Sequence, residues 1–200
     1  MMIRKVCTVA IAFTTISLCA LSARAEETIV FFRHAEKPDG GLGQLTCQGL
    51  NRALALPDVL INRFGPAQWG YAPNPAQKIA DPAGSFFYVR PLITLEPAAI
   101  RSGISVNTNY GYTDVSGLQS VLIRSSKAND TIYVAWEHTY LVAAVQSIIN
   151  TYGNGATVPA WTTGDFDTLY IVHVDYTSSG IQAWFEVGQE GLNSQPTSCQ

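Results

Sequence analysis

Little in this 200-residue chain is charged: Asp, Glu, Lys and Arg make up 14% of it, and it holds only three histidines and four cysteines. There is no basic excess, with 12 Lys and Arg against 15 Asp and Glu, net −3. That excludes the basic surface with which nucleic-acid-binding proteins neutralise phosphates, so no nucleic-acid partner is expected. No long charge run, low-complexity tract or internal repeat interrupts the chain. No C-x-x-C or H-E-x-x-H spacing occurs, so neither a metal nor another cofactor is expected. What remains is an ordinary globular composition, 47% hydrophobic, with enough length for one domain and a substantial core.

The N-terminal segment differs from that average. Arg4 and Lys5 precede an apolar or small-residue run from Val6 to Leu21, and Ala23-Arg24-Ala25 follows. A positive start, a short apolar stretch and a small-x-small site are the parts of a secretory signal peptide rather than of a membrane anchor. We therefore expect residues 1–25 to be cleaved after Ala25 and residues 26–200 to form a single domain. The processed protein is expected to be periplasmic or secreted, with no stable membrane span. Cleavage removes Arg4, Lys5 and Arg24 and leaves nine basic residues against 15 acidic ones, net −6. Cys7 and Cys19 leave with the segment. In an oxidising compartment Cys47 and Cys199 can form one disulfide that ties the polar tail to an early helix, although sequence alone does not show that they meet.

Thr28-Ile29-Val30-Phe31-Phe32 is an apolar, β-branched and aromatic run that reads as a buried strand, and Arg33-His34 follows it directly. Ligands of open α/β sheets bind at the carboxyl ends of such strands. An arginine fork matches phosphate oxygens, and a neutral imidazole nitrogen can attack an electrophile. A second stretch repeats the design: Thr131–Trp136 is another buried-strand run, followed at once by Glu137-His138 and a helical pattern of Leu141, Val142, Val145, Ile148 and Ile149. In a shared parallel sheet, His34 and His138 would emerge on one edge. His173 lies mid-strand and reads as a packed residue.

The remaining pattern places a helix from about Cys47, capped by Thr46, with Pro57 kinking or restarting it before Gly65. Residues 66–76 read as loop, 78–81 as a short strand, and 82–90 as undecided. A helix is expected from Pro97 to about Arg101, a strand near Ile104–Val106, and a helix capped by Thr113 or Asp114. Strands at about 168–175 and 181–187 flank a Thr177-Ser178-Ser179-Gly180 hairpin. Alternating strands and helices indicate an α/β layered domain.

These residues resemble the histidine phosphatase, or phosphoglycerate mutase-like, superfamily. Arg33-His34-Ala35-Glu36 matches its signature after the first strand, and Leu45-Thr46-Cys47-Gln48-Gly49-Leu50-Asn51-Arg52-Ala53 is similar to its helix start. Arg90-Pro91-Leu92-Ile93-Thr94 fits its second arginine, and His138 its second histidine. Two departures stand out. Ala80-Asp81-Pro82 occupies the usual Ser-Pro place, with Arg90 following an insertion, and Thr139 follows His138 where glycine is usual.

The resemblance implies a three-layer αβα sandwich with a mostly parallel central sheet. It implies hydrolysis of a phosphomonoester through a phosphohistidine on His34, with Arg33, Arg90 and His138 gripping the transferring group. Glu137 is the first candidate for proton donor, with Asp114 and Glu36 in reserve, and Glu36 is otherwise expected to hold Arg33. Lys37 is expected to be solvated. Asp165 and Asp167, near Trp161 and Phe166, could recognise a sugar or a cation, but read first as caps of a turn. The expected substrate is a phosphorylated small molecule or an envelope glycan or lipid. A mutase is disfavoured by the expected export. The alternatives are a non-catalytic phospho-ligand binding protein of the same fold and, more weakly, an envelope interaction module.

Overall fold

The computed structural model of the protein describes residues 26–199. The expected signal peptide, residues 1–25, lies outside them. Strand β1 (Glu26–Arg33) is central because it is apolar on both sides: Ile29, Val30, Phe31 and Phe32 are all fully buried. It pairs in parallel with β6 (Thr131–Trp136), with Arg33 opposite Trp136, and antiparallel with β7 (Thr168–Thr177). The six-stranded sheet is completed by β2 (Trp69–Tyr71), β5 (Val106–Asn107) and β8 (Gly180–Gln189) in the order β5-β2-β6-β1-β7-β8. The four strands from β5 to β1 run parallel; β7 and β8 form the expected antiparallel hairpin.

Alternation along the strands sends side chains into two cores. Val30, Phe32, Tyr133 and Ala135 meet Leu56 and Leu60 of helix α1 (Cys47–Phe64) and Leu95 and Ala98 of α2 (Arg90–Ser102). Ile29, Phe31, Ile132 and Val134 meet Leu118 and Leu122 of α3 (Val115–Leu122) and Leu141, Val145 and Ile148 of α4 (His138–Tyr152). Each fully buried Leu, Ile or Phe stabilises the fold by about 1.5–3 kcal/mol. The result is the three-layer sandwich with a mostly parallel sheet. Among the described residues no helix is long and apolar enough to cross a membrane.

Several elements depart from the expectation. The first helix neither stops nor restarts at Pro57; it runs through this buried residue to Phe64, because the apolar face on both sides of it packs on the sheet. The second begins at Arg90, not Pro97, with Pro91 in the first turn where its missing N–H costs nothing. Trp69–Tyr71, inside the expected loop, is a strand between β5 and β6, too short for any periodicity to show. The undecided segment folds back on Lys78–Asp81 (β3) as β4 (Gly84–Phe87), making a separate two-stranded hairpin.

The connection after β1 covers one face of the sheet and that after β6 covers the other. The crevice between these neighbouring parallel strands is thus a topological switch point, the place where α/β sheets bind ligands.

Candidate active site

His34 continues β1: its N–H bonds the carbonyl of Trp136, 3.2 Å away, so it stands beside the end of β6. It is 2% exposed. Its Nδ1 lies 2.7 Å from the Ala35 carbonyl, a contact that requires the hydrogen on Nδ1 and leaves the lone pair on Nε2. Burial pushes its pKa well below the ordinary histidine value, and Arg90, Arg33 and Lys37 add to that, so the ring is neutral. Ala35 N–H donates to the Thr94 hydroxyl (3.0 Å), which itself donates to the Arg90 carbonyl (2.9 Å), fastening the strand end to α2.

Arg33 is equally buried. Its Nη1 donates to the carbonyls of Thr163 and Asp165, and Phe166 lies under its guanidinium at 4.2 Å. Its Nε is buried and makes no hydrogen bond. Asp165 does cap a turn, accepting from the N–H groups of Asp167 and Thr168, as expected. The same loop also wraps the arginine and brings the Phe166 ring to 6.0 Å from that of His34, a function the sequence did not reveal.

Arg90 opens α2, 1% exposed, and adds its positive charge to the field at His34. Asp81, in the place of the usual Ser-Pro, fixes its seat. At the end of β3, it accepts from both terminal nitrogens of Arg90, at 2.7 and 3.3 Å, and from Gly43 N–H at 3.0 Å. Gly41, at φ 76°, passes so close that a Cβ there would lie 2.1 Å from the Asp81 side chain. Lys37, expected to be solvated, lies 3.4 Å from Asp81. Arg90 keeps its Nε edge unbonded.

Glu137 caps α4, accepting from the N–H groups of Thr139 (2.8 Å) and Tyr140 (3.1 Å). Its Oε1 lies 2.6 Å from His138 Nδ1. Burial alone would raise its pKa, but the His138 ring and the two amides hold it below the usual carboxylate value. Both oxygens are thus acceptors, which suits a group that orients His138 better than one that gives up a proton. The carboxylate thus lies against the Nδ1 side of the His138 ring, although the two make no well-aligned hydrogen bond.

Glu36 does not hold Arg33. It forms a bidentate pair with Arg52, its oxygens 2.8–3.1 Å from Nε and Nη2. Arg52 also reaches Asp167 (3.1 Å) and Glu190 (2.7 Å), joining three segments. Gly49 allows this approach, since a Cβ there would sit 2.4 Å from the Glu36 carbonyl. Asp114 is an exposed cap of α3, accepting from Gly117 N–H. His173 pairs with Thr28 across the sheet, near the strand's opposite end, stacked on Trp184 and 2.7 Å from Glu26. It is the packed residue expected. Arg52 and Asp81 stood in quoted motifs, but nothing local named their partners.

Among the described residues no group of three His, Cys, Asp or Glu side chains is placed to hold a metal ion. Cys47 and Cys199 form a disulfide.

No family model and no curated protein matches the sequence. Solved structures do. A mycobacterial hydrolase superposes with a TM-score of 0.55 at 10% identity, over 89% of this chain and 93% of its own. A mycobacterial glucosyl-3-phosphoglycerate phosphatase, solved with inorganic phosphate, gives 0.54 at 12% identity, over 82% and 96%. A phosphoserine phosphatase from Entamoeba histolytica, solved as a mutant with phosphoserine, gives 0.50 at 10%, over 84% and 98%. At these identities the likeness concerns architecture, and on that ground the chain has the fold of the histidine phosphatase, or phosphoglycerate mutase-like, superfamily.

Proposed function

We propose that this protein is a phosphomonoester hydrolase that works through a phosphohistidine on His34. One observation carries the reading: a buried, neutral histidine with its Nε2 lone pair free lies in the field of two buried arginines that keep unused N–H groups. Nε2 attacks phosphorus, the ester P–O bond breaks, and the leaving oxygen takes up a proton from water. Water then attacks the phosphohistidine and releases phosphate. Arg33 and Arg90 stabilise charge on the non-bridging oxygens, the main task in phosphoryl transfer, and His138 Nε2 supplies a further contact. Glu137 positions His138. Family likeness supports the reading at the level of fold alone.

The substrate is a small-molecule or envelope phosphoester, and the protein works after export, as its N-terminal segment suggests; the disulfide fits an oxidising compartment. Brief incubation with labelled ester should give a base-stable, acid-labile label on His34, and His34→Ala should abolish turnover. Unchanged turnover in that variant overturns the mechanism. Mass spectrometry of the envelope protein should find Glu26 at its start.

The binding-protein alternative draws on Glu137, whose oxygens already serve as acceptors. Tight binding of phosphate without turnover of any ester would favour it.

A further inference from the structure

Beside the crevice lies an open cleft of about 660 Å³, lined by Glu36, Gln48, Thr162, Asp165, Phe166 and Asn193. It belongs to the same neighbourhood as His34. Glu36 follows His34 by two residues, and Phe166 has its ring 6.0 Å from that of His34. The cleft loop also supplies the Thr163 and Asp165 carbonyls that hold Arg33.

The chemistry of this lining is one-sided. It contains two carboxylates, two amides, one hydroxyl and one aromatic ring, and no Lys, Arg or His. The two cations next to it are both engaged: Arg52, 1% exposed, by Glu36, Asp167 and Glu190, and Arg33 by the Thr163 and Asp165 carbonyls and the Phe166 ring. Asp165 is held ionised: burial would raise its pKa, but the Thr168 hydroxyl and two backbone amides lower it. A second anionic group entering the cleft would meet two carboxylates and no Lys, Arg or His on the lining to pair with it, a juxtaposition of like charges that disfavours it. Hydroxyls would meet acceptors with spare lone pairs and amides able to donate as well as accept. Phe166 offers an apolar contact to a ring or carbon chain.

We infer that the cleft receives the alcohol part of the ester, and that this part is a neutral, hydroxyl-rich group such as a sugar rather than an acid-bearing one. The inference rests on the phosphatase reading and specifies its substrate class.

The experiment compares kcat/KM of the purified, disulfide-intact protein on glucose 6-phosphate, ribose 5-phosphate and 3-phosphoglycerate, with p-nitrophenyl phosphate as reference ester. The two sugar phosphates should exceed 3-phosphoglycerate by about tenfold or more. Gln48→Lys places a cation in the cleft and should shrink or invert that ratio. Because the ratio is taken within one protein sample, it does not depend on the fraction folded. Equal or reversed preference in the wild type, or an unchanged ratio in Gln48→Lys, overturns the inference. If p-nitrophenyl phosphate is hydrolysed in that case, the phosphatase reading survives. If no ester is hydrolysed, that reading fails and takes this one with it.

Discussion

Asp81 shows how much of this site depends on single side chains outside the signature. Its side chain is 2% exposed, it is bidentate on Arg90, and it also accepts from Gly43 N–H. Burial would raise its pKa, but Arg90, Gly43 and Lys37 hold it below the ordinary value, so it is an ion whose loss strands the Arg90 charge. Breaking one side of a buried pair costs about 3–5 kcal/mol. Asp81→Asn is therefore expected to lower stability in that range. It should also reduce kcat more than it raises KM, because Arg90 would lose its fixed orientation toward the transferring group. Denaturant unfolding and steady-state kinetics check both, and wild-type values for both would show that Arg90 is seated by α2 alone. The signature residues Arg33, His34 and Ala35-Glu36 were legible because a strand end is a local feature. The partner of Glu36 was not: Arg52 is 16 residues away and was recognised only as part of a helix motif.

At the scale of elements, Glu137 belongs to α4 before it belongs to the reaction. As N-cap it satisfies two amides that would otherwise be orphaned, and it aligns a helix whose first residue is His138. Glu137→Gln weakens this cap and should cost about 1 kcal/mol of stability. The sequence-based expectation of a proton donor predicts slower hydrolysis of alkyl phosphates only, since p-nitrophenolate leaves without help. The observed geometry predicts comparable slowing of both ester classes through a misplaced His138. Selective loss on alkyl phosphates would restore the proton-donor role. The misplaced start of α2 teaches the same lesson. Pro91 and Pro97 are equally acceptable as first-turn residues by propensity, and the choice falls to Arg90, whose N–H bonds the Gly43 carbonyl at 3.1 Å.

At the scale of the whole molecule, the first and last of the described residues are tied into the sandwich from opposite sides. The disulfide binds the tail to the start of α1, and Asn51 donates to the carbonyls of Pro196 and Ser198. At the other end of the sheet, Glu27 is fully buried on β1, accepting from the Tyr176 hydroxyl at 2.5 Å. Burial pushes its pKa up to about 8, from an ordinary 4.5. The folded protein thus keeps a proton that the unfolded chain releases. That contribution to stability is full below the unfolded value and is lost as pH rises towards 8. Glu27→Gln should abolish this loss, so that the thermal midpoint of the wild type falls relative to the variant between about pH 5 and pH 8. Parallel midpoints across that range would disprove the buried proton. Nothing in the residues around Glu27 announced it, because Tyr176 reaches it from 149 positions away. The strand runs, the helix cap at Thr46 and the two strand-end histidines could be read directly from the chain, since each is a matter of periodicity or of neighbours within one turn. The pairing of Arg90 with Asp81, the hub at Arg52, the three-residue β2 and the acceptor-lined cleft depend on which distant segments the two cores press together, and burial then makes an unmatched charge or amide too costly to leave alone.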